Sequence, residues 1–590
     1  MSDILKSYNS GEKVTQLRHE MALVGVDAFL IPQTDEYLGE YIPECAQRLS
    51  WLSDFTGSAG IGVVLKDTAT VMSDGRYTIQ LSQQIDGDVF EAINSQEVTL
   101  HDWLESHADK NNIIGYDPKL HTPDFIEKLE NEGWVLKSLS ENLIDVIWHD
   151  QPDAPQSKIF LFDQKYAGET PASKIQKIQT QLKDEKCDFA LITLSDSIAW
   201  LLNIRANDLP YIPVALSYLI LPAQGKAQWF VDEGKLTDDV KNALSDLAVF
   251  QPMGEIENFC AGLKDKVVGY DSKRSTIYFK KLFEKNNVGI RELTDPCIHP
   301  RACKNEVEQV AMKAAHIRDG VAMVRFLKWF DEHKENERLS ELVVEDKLES
   351  FRKRAPEYKE PSFNTISGYG SNGAIVHYRA DEHSNKVIKK GNLLLLDSGA
   401  QYCDGTTDIT RTIAIGQPTD EMVRCNTLVL KGHIALAQAK FDAETTGKDL
   451  DLLARKALVA QGLNYGHGTG HGVGCYLSVH EEAPSISPRG EGTYDEGMIL
   501  SNEPGYYKEG AFGIRIESLV LVQKSVEGGL FFETITYAPI DKNLIDVSLL
   551  GEDEIEWVNK YHSNVYEVIV PLLNDEESVW LKEATSPLSA

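Results

Sequence analysis

One short stretch of this chain occurs twice. Val26-Asp27-Ala28-Phe29-Leu30-Ile31, with Thr34-Asp35 behind it, returns 161 positions later as Cys187-Asp188-Phe189-Ala190-Leu191-Ile192, with Ser195-Asp196 behind it. Ile113-Ile114-Gly115-Tyr116-Asp117 returns 154 positions later as Val267-Val268-Gly269-Tyr270-Asp271. Two matches in the same order make the first half one α/β domain built twice. Each copy is expected to open with a helical stretch, continue into a short apolar strand, and later form a strand ending in Gly-Tyr-Asp.

Breakers mark the borders. Trp148-His149-Asp150-Gln151-Pro152-Asp153-Ala154-Pro155 reads as a linker, and Asp295-Pro296 with His299-Pro300 as a second boundary. The 590 residues leave room for three or four domains, and the breakers divide them into 1–152, 153–301 and 302–590. The third part begins with a helix predicted over roughly 303–333. There Val307, Val310, Ala314, Ile317, Val321 and Val324 recur three and four apart and predict its apolar face. A second helix is expected near 339–353. Strand and turn signals then dominate, with helices near 421–440 and 447–460 between strand blocks. That is an α+β domain behind two α/β domains. The last 40 residues hold nine acidic and two basic side chains, yet Trp557, Tyr561, Val565 and Val568 stand at near-helical spacing. They predict a docked helix instead of an acidic tail.

The charge balance, 59 Lys+Arg against 91 Asp+Glu, is −32. Such a chain repels phosphate backbones and anionic lipid surfaces, which excludes nucleic-acid binding through a broad basic face. Basic proteins and cations stay open as partners. A hydrophobic share of 42% with 25% charged residues excludes disorder of the whole chain. The start, Met1 to Tyr8, has no basic segment followed by an apolar one, so no signal peptide is expected. The longest apolar runs, such as Leu393 to Leu396, are too short to span a membrane. Eight cysteines without a dense framework suit a reducing compartment, and Cys297 and Cys303 are too isolated to form half of a zinc knuckle. The expectation is a soluble cytoplasmic protein with neither nucleic acid nor membrane as partner.

The chemistry lies in 377–517. Asp397 ends a strand of buried type. Asp408 falls in the alternating stretch Thr406-Thr407-Asp408-Ile409-Thr410-Arg411-Thr412, with the turn Tyr402-Cys403-Asp404-Gly405 between. A hairpin centred at 402–403 puts Asp397 opposite Asp408; one centred at 404–405 puts it opposite Thr412. Either way the two aspartates share a face. Glu503 and Glu517 repeat the arrangement around a midpoint at Gly510, and a glutamate among Ile514, Ile516 and Leu519 is costly to bury unless a cation compensates it. Between the pairs runs Gly466-His467-Gly468-Thr469-Gly470-His471-Gly472-Val473-Gly474, with His480-Glu481-Glu482 downstream. So many glycines exclude a helix, and in extended chain His467 and His471 point to one side. No lysine stands where a phosphate loop needs it. Four carboxylates and one imidazole can hold two divalent cations, and an oxygen-rich set without thiolate favours Mn²⁺, Mg²⁺ or Co²⁺. Two such ions would acidify a shared water and clamp a tetrahedral intermediate, which is chemistry for hydrolysing an amide.

Six segments carry a family resemblance: Gly373-Ala374-Ile375-Val376-His377-Tyr378, Asp397-Ser398-Gly399-Ala400, Thr407-Asp408-Ile409-Thr410-Arg411-Thr412, His467 through Gly474, Glu503-Pro504-Gly505 and Ile514-Arg515-Ile516-Glu517. In this order they resemble the pita-bread metallopeptidases and, within that superfamily, the long three-domain cytosolic form of the aminopeptidase P (Xaa-Pro aminopeptidase) family. The resemblance implies two creatinase-like α/β domains followed by a C-terminal pita-bread catalytic domain. It implies two metal ions per chain, commonly Mn²⁺: Asp397 chelating one, Asp408 and Glu517 bridging both, His471 and Glu503 completing the other. A bridging hydroxide would attack the carbonyl of an N-terminal Xaa-Pro bond, with Glu503 as proton acceptor. His377, His467 and His480 would line the substrate site, His480 steadying the oxyanion, and Arg515 would orient a metal-site carboxylate. The implied partners are peptides with proline at the second position and a second copy of the chain, joined through the C-terminal domain. One departure stands out: Arg379-Ala380 follows Tyr378 where the family usually has Ala-Pro, so this loop shapes the proline pocket differently. The other readings are a prolidase-type dipeptidase, whose members look shorter by one domain, and a non-catalytic pita-bread binding protein, which would lack the metal ligands. Creatinase fits poorly for the same lack of ligands.

Overall fold

The computed structural model describes residues 9–589 except Glu335 and Glu337. Met1 to Tyr8, where no signal peptide is expected, lie outside the described residues. Among the described residues no helix is long and apolar enough to cross a membrane. The chain forms two units: one runs to Cys297, without the short segment Asp163–Gly168, and the other takes that segment together with the chain from Ile298 onward.

The first unit holds the repeat. Helix α1 (Ser10–Val24) leads into β1 (Ala28–Pro32), followed by β2 (Ile61–Leu65), β3 (Ala69–Ser73), β4 (Glu91–Asn94), β5 (Ile113–Tyr116) and β6 (Val135–Ser138). Helix α2 (Pro171–Asp184) leads likewise into β7 (Phe189–Ile192), β8 (Tyr218–Pro222), β9 (Ala227–Phe230), β10 (Ala248–Gln251), β11 (Val267–Tyr270) and β12 (Gly289–Glu292). The two sheets run β4-β3-β2-β1-β5-β6 and β10-β9-β8-β7-β11-β12, one topology twice. The repeated residues explain themselves. Asp27 accepts the backbone N–H of Ile113 at 2.9 Å, and Asp188 accepts that of Val267 at the same distance. Each aspartate thus ties the first strand of its copy to the parallel strand beside it. Asp117 and Asp271, closing the Gly-Tyr-Asp strands, both accept the N–H two residues on, the turn chemistry that ends a strand. The apolar residues between them, such as Phe29, Leu30, Leu191 and Ile192, are buried on both faces because helices cover both sides of the sheet.

The second unit begins with α3 (Ile298–Ala302) and the long α4 (Glu306–His333), then α5 (Glu341–Arg352). Asn305 caps α4 by accepting the N–H groups of Val307 and Glu308. The buried face of α4 differs from the expected one. Val307 and Val310 are 41% and 69% exposed, whereas Ala311, Met312, Ala315, Met323, Phe326 and Phe330 are buried. Farther along, Val324 is buried and Ile317 and Val321 pack partly buried against the core, so the expected face holds there and fails in the first turns. The buried side also admits Glu308, His316 and Asp319, each with a polar partner, which apolar periodicity cannot register.

Strands β13 (Ile366–Tyr369), β14 (Asn392–Ser398) and β15 (Ile409–Ile415) form one antiparallel sheet. Helices α6 (Asp420–Ala437) and α7 (Gly447–Val459) follow. A larger sheet is then built from β16 (Gly470–Gly472), β17 (Glu481–Ile486), β18 (Ile499–Asn502), β21 (Ser518–Lys524) and β22 (Leu530–Thr534), with Lys440–Phe441 at its edge. Between β18 and β21 the chain makes a separate hairpin of β19 (Gly505–Lys508) and β20 (Phe512–Arg515). Helix α8 (Glu552–Ile569) docks through Val558, Tyr561, Val565 and Ile569 onto α6 and the hairpin residues Phe512 and Ile514. The acidic end of the chain is therefore helical and buried on one face.

Candidate active site

Two hairpins set the carboxylates. In the first, Asp397 pairs with Thr410 and Ser398 with Ile409, while beyond a break Gln401 pairs with Thr406 and Tyr402 with Gly405. The turn is Cys403-Asp404, so the register lies between the two expected ones. Thr410 stands opposite Asp397 in place of Asp408 or Thr412. Parity still puts all three on one face, because each is two residues from the next. Asp408 is not inside a strand, contrary to expectation: it sits in the break before β15. Gly399 makes that break possible. A Cβ there would stand 2.0 Å from the Thr407 carbonyl oxygen and 2.1 Å from Ser362 Oγ.

In the second hairpin Gly505 pairs with Arg515 and Lys508 with Phe512, centring the turn on Gly510 as its spacing predicts. Gly510 takes a φ of +70°, open to glycine without strain. Glu503 and Glu517 flank this hairpin symmetrically. The backbone N–H of Glu503 donates to Thr469 O at 2.8 Å, and that of Glu517 to Thr410 O at 3.1 Å. Each glutamate is thereby fixed to the segment carrying its partners.

Asp408, His471 and Glu517 bring ligand atoms within 4.8 Å of one another. His471 Nε2 lies 3.5 Å from Asp408 Oδ2 and 3.7 Å from Glu503 Oε1, and its Nδ1 meets the Gly472 carbonyl at 2.8 Å. Asp397 Oδ2 accepts from Arg515 Nη2 at 2.5 Å, while its Oδ1 is buried without a hydrogen-bond partner. Glu517 Oε2 accepts from Thr410 Oγ1 at 2.7 Å. Burial pushes the carboxyls of Asp397, Glu503 and Glu517 upward; Asp408 adds to this in all three, and Arg515 draws Asp397 back. Glu503 reaches about 7 against the pull of His471 and Arg515. Burial alone would depress His471, but Asp408 and Glu503 overcome it and hold the ring at about 9. Four carboxylates crowded in a dry site, one with an orphaned oxygen, require positive charge. The donor set, all oxygen but for one imidazole, fits hard or borderline divalent cations.

The other histidines join this cluster. His467 Nε2 accepts from Tyr507 Oη at 2.8 Å, its Nδ1 meets Gly468 O at 2.7 Å, and Glu503 Oε2 lies 3.9 Å away. Burial and then Arg515 push its pKa well down, which keeps the ring neutral. His480 packs edge-on against His471 with ring centroids 4.4 Å apart. His377 lies close enough for its charge to depress His467. Its neighbour Val376 accepts from Arg515 Nη2 at 3.4 Å, and Tyr378 Oη holds Glu341 at 3.0 Å. Arg379 is exposed and Ala380 buried.

Tyr507, Thr410 and Asp451 were not singled out from the sequence. Tyr507 Oη accepts from Arg515 Nη1 at 2.6 Å while contacting His467, so it links that histidine to the arginine holding Asp397. Its signal was the parity of the second hairpin, which puts Tyr507 diagonal to Arg515. Asp451 of α7 accepts from Thr469 Oγ1 at 2.6 Å and from Arg455, which also donates to His467 O. No local pattern announces a helix residue that braces a distant glycine-rich loop.

Residues 310–524 match the model of metallopeptidase family M24, and 528–588 match the C-terminal region of peptidase M24. Residues 13–146 and 150–308 match two models of the creatinase/prolidase N-terminal domain. A probable Xaa-Pro aminopeptidase P of Laccaria bicolor is 37% identical over 100% of this chain and 95% of its own length. Aminopeptidase P2 of Arabidopsis thaliana is 38% identical over 98% of this chain and 88% of its own. The crystal structure of an X-prolyl aminopeptidase from Caenorhabditis elegans, described as a cytosolic enzyme with a di-nuclear active site, is 33% identical. It superposes with a TM-score of 0.93, covering 98% of this chain and 100% of that one.

Proposed function

Given that the chain belongs to metallopeptidase family M24, with Xaa-Pro aminopeptidases among its full-length relatives, we propose that it removes the N-terminal residue from peptides whose second residue is proline. Its fold is two creatinase-like α/β domains followed by a pita-bread domain. The observation that carries the reading is the convergence of Asp408, His471 and Glu517, with Glu503 beside His471 and Asp397 bearing a buried carboxylate oxygen without a hydrogen-bond partner. In this reading Asp397, Asp408, His471, Glu503 and Glu517 would hold a pair of divalent cations, with Mn²⁺ as the expected metal. When bound, the pair supplies Lewis-acid polarisation of the scissile carbonyl and an activated water.

The side chains do the rest. Glu503, its carboxyl raised toward neutrality, accepts the proton of the attacking water and returns it to the leaving proline nitrogen. His480, against His471, donates to the oxygen that gains charge. His467, kept neutral by burial and Arg515 and oriented by Tyr507, and His377 line the substrate side. Arg515 draws Asp397 back toward its ionised form and aims it. Domain borders at 152 and 301, a cytoplasmic location in keeping with eight free cysteines, and pairing with a second copy through the C-terminal domain belong to the same proposal.

The test is release of free Xaa from an Xaa-Pro-Yaa tripeptide by purified protein before and after adding Mn²⁺, with elemental analysis of the same sample. About two metals per chain and Mn²⁺-stimulated release are expected. Folded, metal-loaded protein without turnover overturns the reading. Faster cleavage of Xaa-Pro dipeptides than of longer peptides makes it a dipeptidase. Absence of both bound metal and cleavage after adding Mn²⁺ makes it a binding protein.

A further inference from the structure

A second group of metal-ligating side chains lies away from the carboxylate cluster. His299 and Cys303 stand four apart at the start of the second unit, and the Cys303 N–H donates to His299 O at 3.1 Å. The helical turn of α3 thus extends to the cysteine and presents both side chains on one face. Asp495 reaches the same point from the turn before β18. His299 Nε2 lies 2.9 Å from Asp495 Oδ2 and 3.8 Å from Cys303 Sγ, and ligand atoms of all three lie within 4.8 Å of one another. Both partners converge on a single imidazole nitrogen. With metal–sulfur bonds of about 2.3 Å, metal–nitrogen and metal–oxygen bonds of about 2.0 Å and tetrahedral angles, a zinc site spaces sulfur and nitrogen about 3.5 Å apart and nitrogen and oxygen about 3.3 Å apart. The two separations to His299 Nε2 need to change by only a few tenths of an ångström.

We propose that His299, Cys303 and Asp495 form a thiolate-containing site for a borderline divalent cation such as Zn²⁺, chemically different from the oxygen-rich catalytic cluster. The ligand types set the preference: sulfur, nitrogen and one carboxylate oxygen suit Zn²⁺, whereas Mn²⁺ and Mg²⁺ favour the oxygens of the other site. His299 and Asp495 are 68% and 59% exposed, so the ion has an entry path and a water completes its coordination. The cation pins α3 to the turn leading into β18 and, beyond it, Glu503. The neighbours of the two α3 ligands already reach the active-site region, for Arg301 and Lys304 both pair with Glu481, the residue after His480. Cys303 is therefore no part of a cysteine knuckle; its partners are a histidine one turn away and an aspartate 192 positions downstream.

The site is tested on full-length protein whose catalytic cluster is first saturated with Mn²⁺, by titrating Co²⁺ and reading the near-ultraviolet thiolate-to-metal charge-transfer band, then by titrating Zn²⁺ and reading the melting temperature. One further equivalent of Co²⁺ producing the band is expected, with a Zn²⁺-dependent rise in melting temperature. Cys303→Ser abolishes the band, and His299→Ala and Asp495→Asn each weaken Co²⁺ binding about tenfold or more. His471→Ala, which touches only the other cluster, leaves the band in place. No thiolate band in the parent protein, or a band that survives Cys303→Ser, overturns the proposal. So does Co²⁺ binding unchanged by both His299→Ala and Asp495→Asn. Because the readouts are spectroscopic and thermal, they stand whatever peptide the enzyme cleaves.

Discussion

Asp397 shows how one side chain serves two demands. Arg515 satisfies one carboxylate oxygen at 2.5 Å and leaves the other bare in a buried site. Removing a carboxylate that faces the cluster removes both ligand and charge. Asp408→Asn is expected to lower turnover on the order of 10³-fold or more, with bound metal falling in elemental analysis while the far-ultraviolet spectrum stays unchanged. Arg515→Lys keeps the charge but loses the fork that spans Asp397, Thr410 and Tyr507. A drop of about 10- to 100-fold in metal affinity is expected, read by competition with a chelator; unchanged affinity would mean that any cation beside Asp397 suffices. Arg515 was readable as a residue on the face of Glu517, since strand parity is a local property. Its tie to Tyr507 needed the hairpin to be closed.

At the scale of elements, the two hairpins differ in how well their spacing predicted them. The second matches because Gly510 fixes a short turn and the flanking strands are regular. The first deviates because its turn falls at Cys403-Asp404, between the two expected positions, and because the ladder is interrupted at Gly399, which leaves Asp408 outside the strand. The position has no room for a side chain. Gly399→Ala is expected to cost about 2–3 kcal/mol of stability in the second unit, lowering its urea midpoint, and to reduce metal content by displacing Asp408. A variant with parent-like stability and metal would show that the break is not fixed by this contact. On α4 the expected apolar face fails only in the first turns, where Val307 and Val310 are exposed. Periodicity reads apolar residues only, whereas this helix also buries Glu308 and His316 through partners within four residues and Asp319 through the distant Arg352.

At the scale of the whole molecule, two buried titratable groups, one in each unit, respond to pH in opposite directions. In the second unit His562 is held at about 3, because burial disfavours its charge and Lys542 and Arg411 add to this. Its Nε2 accepts the Ile540 N–H at 3.1 Å. The folded state thus prefers the neutral ring, and its stability is full above the ordinary pKa of 6.5 and lost as pH falls toward 3. Relative to His562→Gln, the parent is expected to lose about 1.4 kcal/mol more per pH unit below 6.5, measured by urea unfolding across pH 4–7. In the first unit Asp35 is raised to about 7, chiefly by burial. Here the folded state prefers the protonated form, so stability is full below 3.8 and lost as pH rises through 7. Asp35→Asn should therefore gain on the parent between pH 4 and 7. Parallel profiles for either pair would mean that the group titrates alike in folded and unfolded chain.

By itself the sequence determined what depends on neighbours along the chain: the duplicated α/β domain, the face shared by paired carboxylates, the helix-free glycine-rich run and the kind of ion they suit. Periods of two and 3.6 and the chemistry of side chains are local, and they leave their mark in order and spacing. Only the tertiary structure decided what joins distant segments. It set Thr410 opposite Asp397, laid Tyr507 between His467 and Arg515, braced the histidine loop with Asp451, and brought Asp495 to His299 and Cys303. These contacts form when burial drives separate elements together and each polar group left inside must find a partner. That partner is chosen by packing in three dimensions, which no spacing along the chain encodes.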